Sequence, residues 1–429
     1  MDWFKKRGYR HFDLPVDEAF AKKITKQEFI KNHSFVPLLH YIKSEKRYKK
    51  CPKTGARTIE EKKRPIKFAS HRDACILSYY AHQLNDLLEK QYADNGLTES
   101  VLAYRSLGRG NYDFAAEVFA YAKQNAPVVI LAFDVSSFFD NLDHGLLKRR
   151  LKRLLGEESL PLDWWRIFRV VTSFHYVEME ELKAHPVFGP RLETKSRDRI
   201  ASVEELKSHG IKFHRNPEFA MGNKRGIPQG TPISAALSNL YMIDFDAAAQ
   251  KYCDEIGALY RRYSDDILVV CPTPAAKDAE DKIMDLINIE KLEISPHKTE
   301  RTDFTGGASS AQRAAQYLGF RLHESGAAIR ESSLARQWRK MRRAIKRTEK
   351  IAQSKIAAGQ ADRAYTKRLF RRFSHLKIRD ADGLRTIRNF SSYARRSATA
   401  FGDDEKITQQ AKRFEREAHK AIRALRTLR

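Results

Sequence analysis

Pro127 opens an uninterrupted apolar run, Val128-Val129-Ile130-Leu131-Ala132-Phe133, and Asp134 ends it. A run this short, rich in β-branched residues, predicts a buried strand with a carboxylate at its end. A second acidic feature, Asp265-Asp266, lies within Leu259 to Val270, whose alternation predicts a β-hairpin with both acids at a tip that carries no glycine. A strand end beside a hairpin tip can bring three carboxylates close together. Without compensation one of them would have to take up a proton; divalent cations remove the repulsion. Two Mg²⁺ roughly 3.5–4 Å apart can activate an attacking hydroxyl and stabilise a leaving pyrophosphate. An Asp-Asp pair standing alone would read as a turn, and Asp134 as a helix cap.

The partner class follows from charge. The chain has 429 residues, 42% of them hydrophobic, enough for a sizeable core in two or three subdomains. Its formal net charge of +26 points to a polyanion, most often nucleic acid. The segment from Glu331 onward carries 28 Lys and Arg against 10 Asp and Glu, a net of +18, and reads as a separate helical subdomain with basic faces. Cys51, Cys75, Cys253 and Cys271 form no CxxC pair, which argues against a zinc site or a disulfide framework. The first twenty residues lack the apolar centre of a signal peptide, and no apolar run reaches the roughly 18 residues of a membrane span. A soluble, cytoplasmic protein with no membrane partner is expected.

Along the chain, residues 1–45 form an N-terminal extension with aromatic anchors, and Lys43 to Lys67 is strongly basic. Spacings of three and four predict helices over Asp73 to Glu89, Asn111 to Gln124 and His144 to Leu155. Residues 178–220 read as a polar insertion or long connection. Thr231 to Gln250 reads as one helix of small residues, and Tyr317 to Leu322 as a short strand.

Five blocks then occur in order: Phe133-Asp134-Val135-Ser136-Ser137-Phe138-Phe139-Asp140; Arg225-Gly226-Ile227-Pro228-Gln229-Gly230-Thr231-Pro232-Ile233-Ser234; Tyr263-Ser264-Asp265-Asp266; Leu292-Glu293-Ile294-Ser295-Pro296-His297-Lys298-Thr299; and Tyr317-Leu318-Gly319-Phe320. Together they resemble the palm motifs of reverse transcriptases, over about residues 45–345. The resemblance implies an α+β, right-hand polymerase: fingers at 46–125, palm at 126–325, and a basic helical thumb and C-terminal region at 326–429. It also implies an RNA-directed DNA polymerase using two Mg²⁺, an RNA template and dNTPs to make cDNA. Asp134 and Asp265 would be the principal metal ligands, with Asp266 supporting and the Val135 carbonyl as a further oxygen ligand. Phe139 would be the steric gate against a ribose 2′-hydroxyl. Gln229 and Gly230 would approach the incoming nucleotide, and Lys298 would stand near the leaving pyrophosphate as a general acid. Lys53 and Arg57, in Lys53-Thr54-Gly55-Ala56-Arg57-Thr58-Ile59, resemble a fingers hairpin that clamps the triphosphate. Ser264 departs from the Ala or Met found there in many relatives.

A narrower resemblance rests on Arg7-Gly8-Tyr9-Arg10-His11-Phe12-Asp13, on Arg64 to Ala74, on Ser78-Tyr79-Tyr80-Ala81, on Tyr104-Arg105-Ser106 and on Asn111 to Ala115. These are similar to bacterial reverse transcriptases of the antiviral-defence groups, relatives of retron and abortive-infection enzymes. They imply a dedicated non-coding RNA as template. Alternatives are an untemplated or RNA-synthesising palm polymerase, a retron or group II intron-type enzyme, or a catalytically dead RNA-binding scaffold. The sequence leaves open whether a second copy or an accessory defence protein takes part.

Overall fold

A long two-stranded ribbon near the N-terminus is held by backbone pairing, with opposite charges facing each other midway along it. In the computed structural model, which describes residues 1–50, 57–194, 196–295, 299–305, 314–323, 326–380 and 383–427, strands β1 (Leu38–Lys50) and β2 (Arg57–Phe68) pair antiparallel from Leu39↔Phe68 to Lys50↔Arg57. Glu45 faces Lys62 and Lys46 faces Glu61, cross-strand pairs that favour this register over a slipped one. The base of the ribbon, Leu38 and Leu39, is buried, while Ile42 and Ile59 further out are exposed. Two short strands from later in the chain extend the sheet: His175–Glu178, parallel to β1, and His214–Arg215 beyond it.

The stretch 178–220, which reads as a polar insertion or long connection, carries helices of its own. Short helices Met179–Ala184, Phe188–Glu193, Val203–Ser208 and Pro217–Ala220 pack Leu182, Phe188, Ile200, Leu206 and Ile211 around Phe12 and Leu39. Each helix has four to six residues, too few to show a helical period in the sequence.

The central sheet has the order β4-β5-β3-β6, from β3 (Val128–Asp134), β4 (Leu259–Tyr263), β5 (Asp266–Pro272) and β6 (Glu300–Phe304). All pairs are antiparallel. Alternate residues of β3 enter two different cores. Val129, Leu131 and Phe133 face the core shared with the helix His71–Asp94, whereas Val128 and Ile130 face the core completed by the C-terminal helices. Burial on both faces is why this strand shows no polar alternation.

Three predicted elements differ in detail. The helix over Thr231 to Gln250 is two, Ser234–Tyr241 and Ile243–Glu255; at Met242 the N–H is shared between the Ser238 and Asn239 carbonyls at 3.3 and 3.2 Å. The strand over Tyr317 to Leu322 is a hairpin, Ala315–Tyr317 and Phe320–His323, turning at Leu318 and Gly319, whose φ values are 45° and 91°. The C-terminal region contains helices Glu331–Ala357, Lys367–Phe373, Phe390–Ala400 and Glu405–Arg426, with a two-stranded ribbon, Lys377–Asp380 and Gly383–Thr386, between them. Part of it does not stand apart: Ala394, Ala398, Ile407 and Ala411 pack under the central sheet, while Met341, Phe373, Phe414 and Ile422 form a core of their own.

The fold is α+β, with ribbon, sheet and helical region in the order of the fingers, palm and thumb of a right-hand polymerase. No helix among the described residues is long and apolar enough to cross a membrane. Cys75, Cys253 and Cys271 are buried free thiols.

Candidate active site

Antiparallel register sets the first relationship: Asp134 at the end of β3 lies directly opposite Asp266 at the start of β5. Such partners hold their Cβ atoms about 4.5–5.5 Å apart on one face of the sheet. Asp265 occupies the two-residue turn, Ser264-Asp265, that joins Tyr263 to Asp266. Its carbonyl accepts a hydrogen bond from the Val135 N–H at 3.2 Å. Val135 pairs with Ile294 on its other side, where the flanking bonds are Ser136 N–H to the Glu293 carbonyl and Ser295 N–H to the Asp134 carbonyl, both 2.8 Å. That pattern turns the Val135 carbonyl away from Ile294, to the edge its own N–H uses toward Asp265.

These are hard oxygen donors, the set that suits Mg²⁺ rather than a thiolate- or imidazole-seeking metal. Among the described residues no three His, Cys, Asp or Glu side chains already converge as a metal cage. The backbone brings the acids side by side; their carboxylates would have to turn toward a common ion.

The Arg225 to Gly230 block runs beside this edge and is stitched to it by backbone bonds. Gly226 N–H donates to the Leu142 carbonyl, Ile227 N–H to the Phe139 carbonyl and Lys67 N–H to the Gln229 carbonyl, at 2.9, 2.9 and 2.8 Å. Both glycines are required. Gly226 has φ 87° and a Cβ there would sit 2.9 Å from the Asp140 carbonyl oxygen; Gly230 has φ 118° and a Cβ would sit 2.8 Å from the Lys67 carbonyl oxygen. Phe139 is half-buried, with its ring edge-on to the buried Phe138 at 5.4 Å between centroids. It lies in the helical turn Phe138–Asn141, which follows Ser137 at φ 44°. Lys67 itself is buried, its ammonium 5.5 and 5.2 Å from the Phe174 and Tyr176 rings. Burial lowers its pKa, and Asp140 and Glu178 oppose that shift.

The sequence model of the family described as reverse transcriptase (RNA-dependent DNA polymerase) matches residues 51–322, more than half of the chain. The chain belongs to the reverse transcriptase family. No curated protein matches it. Among solved structures it is similar to telomerase from Candida tropicalis truncated from its C-terminal domain, with TM-score 0.43 and 13% identity over 72% of this chain and 59% of that one. It is also similar to telomerase from Candida albicans in complex with a fragment of telomeric RNA, with TM-score 0.38 and 14% identity over 73% and 50%. These likenesses are distant, and the chain spans about half the length of the telomerases it matches.

For this reverse transcriptase, two of the expected contacts, Lys53 and Lys298, lie outside the described residues, and Arg57 is described only as the first residue of β2. Asp134, Asp265, Asp266, Val135, Phe139, Gln229 and Gly230 all fall along one edge, where the palm sheet meets the base of the ribbon.

The support behind the reverse transcriptase turn was not anticipated. Ser264 takes φ 63° with Asp265 not in the positive range, the pattern of a type II′ turn, whose first central residue is usually glycine. The strain is held from two sides. The Tyr104 hydroxyl lies 2.9 Å from the Ser264 hydroxyl, and Arg262 donates to the Ser264 carbonyl at 3.0 Å. Arg262 is fully buried and forms a two-pronged pair with Asp246, 2.6 Å at each prong, while the Tyr260 hydroxyl donates to the same carboxylate at 2.6 Å. The buried Asp246 carboxylate holds the Arg262 guanidinium firmly charged against the cost of burial. Arg262 is also tied through its backbone to Ser100 and Leu102, at 2.8 and 2.9 Å, which brings Tyr104 into place. The sequence signal was Arg262 on the same inward face as Tyr260, a charged group that needs a buried acid.

Proposed function

We propose that this chain is an RNA-directed DNA polymerase in which Asp134 and Asp265 are the principal metal ligands, Asp266 supports them and the Val135 carbonyl is a further oxygen ligand. The observation that carries the reading is Asp134 opposite Asp266 with Asp265 in the adjoining turn, in a chain whose family is reverse transcriptase. Bound there, two Mg²⁺ would supply Lewis-acid activation of a 3′-hydroxyl and neutralise a departing pyrophosphate. The chain's own part is positional. The turn is fixed by Arg262 and Tyr104, Gly226 and Gly230 let the backbone approach closely, and Phe139 stands five residues past Asp134 as the wall against a ribose 2′-hydroxyl. Lys53 and Arg57 would grip the triphosphate and Lys298 would protonate the leaving group.

The finer reading is a bacterial antiviral-defence enzyme, in the cytoplasm, that copies a dedicated non-coding RNA into cDNA. It is supported by the motif resemblance of the N-terminal and fingers segments and by a net charge of +18 from Glu331 onward, more than a short duplex in a palm cleft needs. Structured RNA could dock through phosphate and 2′-hydroxyl contacts while a single-stranded part enters the palm.

Primer extension on an RNA template with dNTPs and Mg²⁺ tests the activity. Asp265→Ala with Asp266→Ala should abolish incorporation and leave the melting temperature equal or higher, because local repulsion is relieved. Retained Mg²⁺-dependent synthesis would refute the assignment. Sequencing the RNA bound to wild-type protein in its host tests the template: one dominant species supports a dedicated RNA, and a spread that follows cellular abundance defeats it.

A further inference from the structure

Two segments that the polymerase chemistry does not use, the N-terminal extension and the folded insertion, meet over one cavity of about 510 Å³. Its wall is residues 35–38 on one side, the end of the helix Leu162–Thr172 with Phe174 on another, and Val203, Lys207 and Phe213 of the insertion on the third. It shares no lining residue with the carboxylate edge.

Three cations face it, Arg166, Arg169 and Lys207. Arg169 and Lys207 are exposed at the rim, and Arg166 is half-buried at the floor. Arg166 donates one terminal nitrogen to the His33 carbonyl, while its Nε is enclosed and has no hydrogen-bond partner. That Nε is shut off from the cavity, so a ligand there would be met by the accessible part of the half-buried guanidinium. Asp73 is the one acid among the described lining residues, and both its oxygens are engaged, by His33 at 2.7 Å and by the Val36 N–H at 3.0 Å. The rest of the wall is apolar and aromatic apart from Ser173 and His175, with Phe35 and Phe213 half-buried and able to offer ring surface.

A cluster of cations beside aromatic rings, in a cavity within the roughly 300–1,000 Å³ of small-ligand sites, matches one chemistry. Guanidinium groups grip a phosphate and rings accept a base. An acidic peptide would satisfy the cations but leave the rings without a flat partner. We propose that this cavity binds a single nucleotide unit, its phosphate on Arg166, Arg169 and Lys207 and its base against Phe35 and Phe213, at a site whose lining includes none of the catalytic carboxylates. The unit could be a free nucleotide or one nucleotide of a bound strand.

The test uses the full chain in EDTA, so that metal-dependent binding at the palm is silent. Calorimetric titration with AMP, GMP, CMP and UMP reads a free nucleotide; ultraviolet cross-linking of an RNA oligonucleotide, with peptide mapping to Phe35 or Phe213, reads a strand. Arg169→Glu with Lys207→Glu, an exposed pair with little bearing on folding, should weaken either signal at least ten-fold. Arg166→Gln should do the same, with its melting curve recorded as the control for folding. Binding of a monophosphate supports the free-nucleotide source, and cross-linking without monophosphate binding supports the strand source. Neither signal, signals unchanged in the double variant, or inorganic phosphate binding as tightly as the nucleotides would overturn the proposal. Primer extension by the Arg169→Glu/Lys207→Glu variant on a short unstructured template should match wild type, which separates this site from the polymerase reading.

Discussion

The hydroxyls of Tyr104 and Ser264 face each other at 2.9 Å, and both residues hold a positive φ, 67° and 63°. Their burial is unequal: Ser264 is 5% exposed and Tyr104 is 45% exposed. Tyr104→Phe therefore leaves a buried Ser264 hydroxyl without its partner, about 1–3 kcal/mol, whereas Ser264→Ala leaves Tyr104 free to bond water, about 0.5–1.5 kcal/mol. Denaturant melts of both singles and the double variant check this. The double should lose less than the sum of the two; additive losses, or Ser264→Ala costing more, would show that the hydroxyls do not act as a pair.

Arg262 and Asp246 are each fully buried and hold the turn from behind. Asp246→Asn should cost about 3–5 kcal/mol, because it strands a buried guanidinium. Arg262→Met with Asp246→Leu and Tyr260→Phe should recover much of that stability, since an apolar cluster of similar volume needs no partner and the Tyr260 hydroxyl that donated to Asp246 is removed with it. It should not recover incorporation, because the Ser264 carbonyl has lost its donor. Melting temperature and primer extension, measured on the same preparations, separate the two effects; full activity in the apolar variant would remove Arg262 from any positioning role.

Phe139 is half-buried beside the glycine-rich loop, its carbonyl held by Ile227. If its ring is the wall against a 2′-hydroxyl, Phe139→Val should lower the ratio of dNTP to NTP incorporation efficiency on the order of ten- to a hundred-fold, the scale of discrimination that an apolar pocket supplies. Steady-state incorporation with each nucleotide pool measures it, and an unchanged ratio would leave Phe139 as a packing residue.

On the thumb, Lys340, Arg343, Arg347, Arg368 and Arg372 line a groove of about 590 Å³ that contains no acid among its described residues, with Tyr365 70% exposed beside them. Deleting the region would strip Ile407 and Ala411 from under the palm sheet, so charge substitution is the cleaner probe. Arg343→Gln, Arg347→Gln and Arg368→Gln together should flatten the log–log salt dependence of binding by up to ~0.9 per lost phosphate contact on a duplex, or ~0.7 on a single strand. Fluorescence anisotropy across a salt series reads the slope; an unchanged slope would make this face merely solubilising.

The parts of the site legible in the sequence were those fixed by local chemistry. Val128 to Phe133 announced a strand because both of its faces are covered, and Gly226 and Gly230 marked a loop that only glycine can follow. The Ser264 turn was placed correctly although it has no glycine, because the flanking strands set its position; what lets serine sit there was hidden, since Tyr104 and Arg262 act through contacts between distant parts of the chain. The same holds for Asp246, a helical acid like many others until Arg262 is seen against it. The insertion or connection expected over 178–220 showed none of its secondary structure in the sequence, because its helices are shorter than the period that would reveal them. The break at Met242 left no proline or glycine to read.

Asp134 and its neighbours Asp265 and Asp266 come from different halves of the chain, and β3 has both its partners, β5 and β6, downstream. A chain emerging from the ribosome therefore carries a bare apolar strand long before it can close the sheet, and pairing across so wide a sequence gap is slow. The unpaired edge of β3 is the segment most exposed to misassociation in that interval. It also means that the proposed metal site cannot exist in a product of synthesis that ends before β5. A truncated chain that lacks β5 holds one of the three acids, so any activity of the proposed site would report that translation has passed β5.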